Sequence, residues 1–207
     1  MLGAIIGDVV GSKFEFDNIK SKDFSLFSKD NKFTDDTVLT CAIAQACMNC
    51  KGDYSKLQKE AKKCLLEFGR IYMANNVIGY GEMFYEWLKD PMPYQSFGNG
   101  AAMRVSPLAY FAKDKEQLKE MSRVVTILRH NHVEAIKGAE AVAVSVFMAS
   151  NGASKEEIKK AYEMTDDKTI NALEKCIENV RDFAQEQLSC LKNLDMKKNN
   201  SLLGHRV

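Results

Sequence analysis

The run FTDDTVLT sets Thr34, Asp35, Asp36 and Thr37 directly before an apolar helical stretch, clustering the oxygen donors that hard divalent cations take. The same residues suit a helix start without any metal, because Thr and Asp cap free backbone N–H groups and complement the macrodipole. Local physics alone favours the cap. Successive helical side chains diverge by about 100°, so Asp35 and Asp36 reach one ion only where the chain is just entering its helix. The cap position permits that.

A second candidate is GAIIGDVVGSKFEF, in which Gly3, Gly7 and Gly11 recur every fourth residue and Glu15 follows in an expected loop. The spacing is not that of a dinucleotide fingerprint, and no βαβ pattern surrounds it, so the glycines predict a flat helix face for close packing. In SFGNGAAMRV, Gly98, Asn99 and Gly100 stand where a helix should begin, with Ser96 and Arg104 expected to lean toward solvent. Helix amino termini favour phosphate. A plain glycine turn with an Asn cap explains the same residues. His130, His132 and Glu134 fall within five positions of LRHNHVEAIKGAEAVA. Zn²⁺ would require a further ligand at motif spacing, which leaves capping or a site wall as the reading of these groups.

The elements that must position these residues are helical. Val38, Leu39, Ala42, Ile43, Ala46 and Cys47 share one helix face. Ser55 and Gln58 suggest a capping box opening a second helix, which buries Leu57, Ala61, Cys64, Leu65 and Phe68. A third runs from about Asp114 with Leu118, Met121, Val125 and Leu128 inward. From Glu134 a stripe of small residues, Ala135, Gly138, Ala139, Val142, Ala143 and Val146, predicts a central helix approached closely by a neighbour. Ser154 and Glu157 cap another, and Ile170, Leu173, Ile177, Val180 and Ala184 mark a longer one. The segment DPMPYQSFGNG reads as a surface or site-lining loop. Strand-like alternation is scarce, and the expected fold class is all-α.

With 207 residues, 45% of them hydrophobic, the chain can bury one substantial core. We expect a helical domain over 1–190 and a polar, lysine-rich, frayed tail over 191–207. A net charge of +1 supplies no basic field for nucleic acid or anionic membrane, so neither is an expected partner. Six cysteines in a chain with no secretory leader read as reduced core thiols, the Cys47–Cys50 pair included. The opening MLGAIIGDVVG lacks a basic leader, is too short to span a bilayer and is broken by Asp8. A cytoplasmic, soluble protein is expected.

Taken in order, GAIIGDVVGSKFEF, FTDDTVLT, SFGNGAAMRVSP and HNHVEAIKGAEA resemble the motifs of small bacterial ADP-ribosylglycohydrolases, relatives of dinitrogenase reductase-activating glycohydrolase. The likeness also takes in GRIYMANNVIGYGEMFYEWL and extends from Met1 to about Tyr162. It implies a compact multi-helix bundle with a binuclear Mg²⁺ centre at the floor of an ADP-ribose cleft. It further implies hydrolysis of the bond joining ADP-ribose to a protein side chain or small molecule. Thr34, Asp35 and Asp36 match the first metal motif of that family, with the two aspartates also counted as catalytic. Glu15 matches its acidic residue near the scissile bond, for positioning or base catalysis. Ser96, Gly98, Asn99, Gly100 and Met103 match the segment around phosphates and ribose, and His132 matches a cleft-wall histidine.

The family completes its metal pair with a GGDxDT-type motif near the carboxyl terminus, which this chain lacks. Asp166 and Asp167 form the nearest acidic cluster, without the preceding glycines and with Lys168 in place of Thr. The resemblance therefore implies a bundle truncated at the carboxyl terminus, with weakened Mg²⁺ binding and an uncovered apolar face that invites self-association. An ADP-ribose-binding remnant without catalysis, or a truncated gene product, is the alternative expectation.

Overall fold

The computed structural model describes residues 1–162 except Lys22, residues 76–78 and Phe97. Seven α-helices follow one another among the described residues: α1 (Leu2–Gly11), α2 (Asp35–Cys50), α3 (Leu57–Ala74), α4 (Glu82–Lys89), α5 (Lys115–Thr126), α6 (Val133–Ser150) and α7 (Lys155–Tyr162). Short 3₁₀ turns occupy Ser12–Phe14, Tyr54–Lys56, Asn99–Arg104 and Ser106–Tyr110. Those residues hold no strand, only an isolated parallel bridge between Tyr94 and His130. The all-α expectation therefore holds. No described helix is long and apolar enough to cross a membrane.

Helix α2 is the hub. Val38, Leu39, Ala42, Ile43, Ala46 and Cys47 are all buried, as their spacing requires, and the helix packs along α3. Its far end turns at Lys51, whose left-handed backbone (φ 48°) leads into Gly52. Helix α3 buries Leu57, Ala61, Cys64 and Leu65, and Gly69 lets α4 lie directly on it. A Cβ at Gly69 would stand 3.0 Å from the Phe84 ring and from Leu88 Cδ2, so a side chain there would make those two side chains give way by a few tenths of an ångström. Trp87 of α4 donates its ring N–H to the Leu128 carbonyl at 3.1 Å, fixing α4 to the segment after α5.

Helix α6 covers α5 and the 3₁₀ turns of 99–110, which makes it central as expected. Ala135, Ala139 and Ala143 are buried in that contact. At α7, Ser154 and Glu157 exchange reciprocal bonds of 2.7 and 3.2 Å, so the capping box is formed.

Four expectations fail, each for a local reason. The start of α3 is not capped by Ser55, whose hydroxyl turns to Asp53 at 2.6 Å while Tyr54–Lys56 makes a 3₁₀ turn. The glycines of α1 have open space where a Cβ would stand, so no described neighbour approaches that face. Gly138 of α6 is equally open, and the close approach rests on the alanines instead. Arg104 is fully buried rather than turned to solvent. Cys41, Cys47, Cys50 and Cys64 are free thiols, the last three buried. Cys176, Cys190, Asp166, Asp167, the helix read over Ile170–Ala184 and the 191–207 tail lie outside the described residues.

Candidate functional site

The first turn of α2 is organised around a carboxylate on another helix. Asp8 of α1 accepts from the backbone N–H of Thr34 at 2.8 Å and of Thr37 at 3.2 Å. Both hydroxyls also donate to it, Thr34 Oγ1 at 2.6 Å and Thr37 Oγ1 by a short bond. Thr34 in turn caps α2 by accepting from the Asp36 N–H at 3.3 Å. The cap reading of FTDDTVLT is thus realised, with Asp8 tying α1 to the start of α2. A hydroxyl that donates once and accepts once keeps one lone pair, so Thr34 can still offer an oxygen.

Among the described residues, Asp35 and Asp36 are compensated only by their own backbone N–H groups. Asp35 is buried and its carboxyl is pushed up to about 7, first by burial and then by Asp36 and Glu15. Burial, Asp8 and Glu15 together push Asp36 up to about 6. Glu15, exposed just after the Ser12–Phe14 turn, is raised by burial and by Asp8. Four carboxylates from three separate segments therefore feel one another. Such a cluster resists ionisation unless a cation joins it. The donors are all hard oxygens, which fits Mg²⁺ rather than a softer metal. Among the described residues, no three His, Cys, Asp or Glu side chains group tightly enough to hold an ion by themselves. Asp35, Asp36 and Thr34 would thus supply part of a coordination shell.

The second half of the site is the segment Tyr94–Arg104. It is joined to residues 129–131 by backbone bonds, Tyr94 N–H to the Arg129 carbonyl at 3.0 Å and Asn131 N–H to the Tyr94 carbonyl at 3.3 Å. Ser96 Oγ accepts from the Gly98 N–H at 3.3 Å and lies 2.9 Å from His130 Nδ1. Gly98 and Asn99 are exposed, whereas Gly100 sits over His130, its would-be Cβ 3.4 Å from Nε2 and 3.7 Å from an Arg129 nitrogen. Met103 is half-buried, and its carbonyl accepts from the Thr40 hydroxyl at 3.2 Å, which connects the segment to α2.

Beneath this loop lies a basic floor. Arg104 is 0% exposed; one guanidinium nitrogen reaches the Val125 carbonyl at 3.5 Å, while Nε and Nη1 have no partner among the described residues. Burial and the nearby Arg129 lower it to about 9, so it stays charged at neutral pH. Arg129 donates to Tyr94 Oη at 2.8 Å and lies over the rings of Phe84 and Tyr94. His130 is held neutral, its ring lowered to about 3 by burial and then by the two arginines.

The structure thus brings Thr34, Asp35, Asp36 and Glu15 together at one pole, and Ser96, Gly98, Asn99 and Gly100 together at the other. His132 is apart from His130: it caps α6 by accepting from the Glu134 N–H at 3.2 Å. Sequence reasoning missed the organising role of Asp8, whose one available signal is a lone charge inside an apolar helix. It also missed Gly79 beside Asp35, and the Arg104–Arg129 pair, which no local pattern marks as buried.

A family model described as ADP-ribosylglycohydrolase matches residues 1–204. The chain is 26% identical over 177 residues to ADP-ribosylhydrolase ARH3 of Danio rerio, a match covering 74% of this chain and 47% of that protein. It is 26% identical over 179 residues to ADP-ribosylarginine hydrolase Tri1 of Pseudomonas putida (strain GB-1), covering 76% and 47% respectively. The chain spans about half the length of the curated relatives it matches.

Proposed function

We propose that this chain, which belongs to the ADP-ribosylglycohydrolase family, hydrolyses the glycosidic bond between ADP-ribose and an acceptor, with Mg²⁺ as its cofactor. The observation that carries the reading is the gathering of Asp35, Asp36 and Glu15 beside Asp8, with the carboxyls of Asp35, Asp36 and Glu15 raised by burial and by one another's charge. Asp35, Asp36 and Thr34 would hold the metal, which when bound supplies positive charge and Lewis acidity at the ribose. Ser96, Gly98, Asn99, Gly100 and Met103 hold phosphates and ribose, and His132 stands at the wall. Glu15, exposed and raised in pKa, orients the attacking water and accepts its proton as the water oxygen bonds to the anomeric carbon. The bond to the acceptor breaks with its electron pair going to the acceptor, which takes up a proton from solvent while Glu15 returns its own to solvent, so that one water is consumed and the protons balance. The printed name of the Pseudomonas relative makes an arginine acceptor the first to try.

The test is release of ADP-ribose from ADP-ribosylated arginine and serine substrates, with Mg²⁺ or with EDTA, beside Asp35→Ala and Asp36→Ala. We expect Mg²⁺-dependent release that falls on the order of a hundredfold in either variant. Release indifferent to EDTA and to both substitutions overturns the reading. Binding of ADP-ribose with no release favours a second reading, a noncatalytic binder, which the incomplete set of grouped metal ligands among the described residues supports.

A further inference from the structure

Asp8 and Asp35 are held in opposite ways. Four donors grip Asp8, whereas Asp35 has, among the described residues, only a backbone N–H of its own. A carboxylate without hydrogen-bonded partners is free to turn about its side-chain torsions unless packing prevents it. At Asp35 the packing partner is Gly79. Its φ is +103°, a conformation that favours glycine, and a Cβ built there would fall 2.1 Å from Asp35 Oδ1, 3.1 Å from Asp35 Cγ and 3.2 Å from Thr34 Cβ. The bare backbone of Gly79 thus lies flat against the carboxylate and the cap residue before it.

That backbone is itself anchored. Tyr80 is buried and its ring stacks on Phe84 at 5.1 Å with an interplanar angle of 6°. Phe84 is in turn seated against Gly69 of α3. From these contacts we infer that Gly79 is a positioning residue, a backbone wall that sets the Asp35 carboxylate for its metal. This rests on the reading of Asp35 as a metal ligand.

The experiment uses the full chain and Mn²⁺ as a paramagnetic probe, with free ion counted by electron paramagnetic resonance and unfolding followed in EDTA. Gly79→Ala should weaken Mn²⁺ binding on the order of tenfold or more, since small misplacements of a reacting group carry large penalties. Gly79→Asn, a residue that tolerates positive φ better, should give the same loss with less destabilisation. Gly81→Ala serves as the neighbouring control, because Gly81 has φ −69° and open space at its Cβ, and its affinity should be unchanged. In an Asp35→Ala background Gly79→Ala should weaken binding no further, because the two act as one unit. Wild-type affinity in folded Gly79→Ala and Gly79→Asn overturns the inference, as does full additivity with Asp35→Ala. Failure of the unaltered protein to bind Mn²⁺ would instead sink the metal reading, and this inference with it.

Discussion

The acidic pole at the start of α2 and the basic floor under Gly98–Gly100 are both clusters of like charge, yet they are exposed very differently. Asp36 is half-buried and Glu15 exposed, so a ligand from solvent can reach the carboxylates. Arg104 is sealed, with two guanidinium nitrogens unpartnered among the described residues. Arg129 is close enough for Asp35 to affect its protonation, so the poles share a field. The acidic pole can therefore act by contact, whereas Arg104 acts only through its field and by shaping the loop above it. Neither cluster is explained by stability, since an uncompensated buried charge opposes folding.

The contrast breaks most readily at Arg104. In Arg104→Met, ADP-ribose binding measured by calorimetry should weaken on the order of tenfold, about 1.4 kcal/mol. The unfolding temperature should hold or rise, because an apolar side chain of similar size replaces an unpaired buried charge. Unchanged affinity with a large loss of stability would make Arg104 a packing residue and leave the acidic pole as the sole ligand-facing cluster.

A smaller effect sharpens the comparison through pH. The carboxyls of Asp35 and Asp36 stand at about 7 and about 6 in the folded protein, above their unfolded values. Their contribution is fully present below the unfolded pKa and is lost as pH rises through the folded one. His130 is depressed to about 3 and works the other way, with stability lost as pH falls below its unfolded value. From about 6.5 to 7.5 the acidic pole outweighs the groups that work the other way, because His130 is nearing the end of its titration in the unfolded chain and the Met1 amine, lowered by burial, is only half covered. Unfolding in EDTA, followed by circular dichroism, should shift down by roughly a few degrees across that window. Mg²⁺ should restore it, and Asp35→Asn should flatten the profile. A flat profile in the unaltered protein would remove the claim that these carboxylates are so little compensated.

The smallest effect belongs outside both clusters. Ser154→Ala removes one half of the satisfied capping box of α7 and should cost about 1 kcal/mol by denaturant unfolding, leaving ADP-ribose binding unchanged. It sets the scale of an ordinary hydrogen-bond loss against which the two charge clusters are judged.

Much of this was legible beforehand. Helical period placed Val38 through Cys47 and Leu118 through Leu128 in the core, because apolar spacing alone decides which helix face leaves water. Ser154 with Glu157 declared its cap for a similarly local reason. Ser55 failed because a competing acceptor, Asp53, lies two residues away, and a pattern of types does not say which bond wins. At the site, Thr34, Asp35, Asp36 and Ser96 through Gly100 were marked by their own motifs.

What the sequence by itself determined is the set of elements and the residues with capacity for chemistry, since both follow from neighbours a few positions apart. Tertiary structure alone decided that Asp8 would receive four bonds from residues 26 and 29 positions away. It also set Gly79 against Asp35 and buried Arg104 beside Arg129. Those relations depend on where helices cross, and the environment that sets a carboxyl's pKa or an arginine's cost is made of groups distant in the chain.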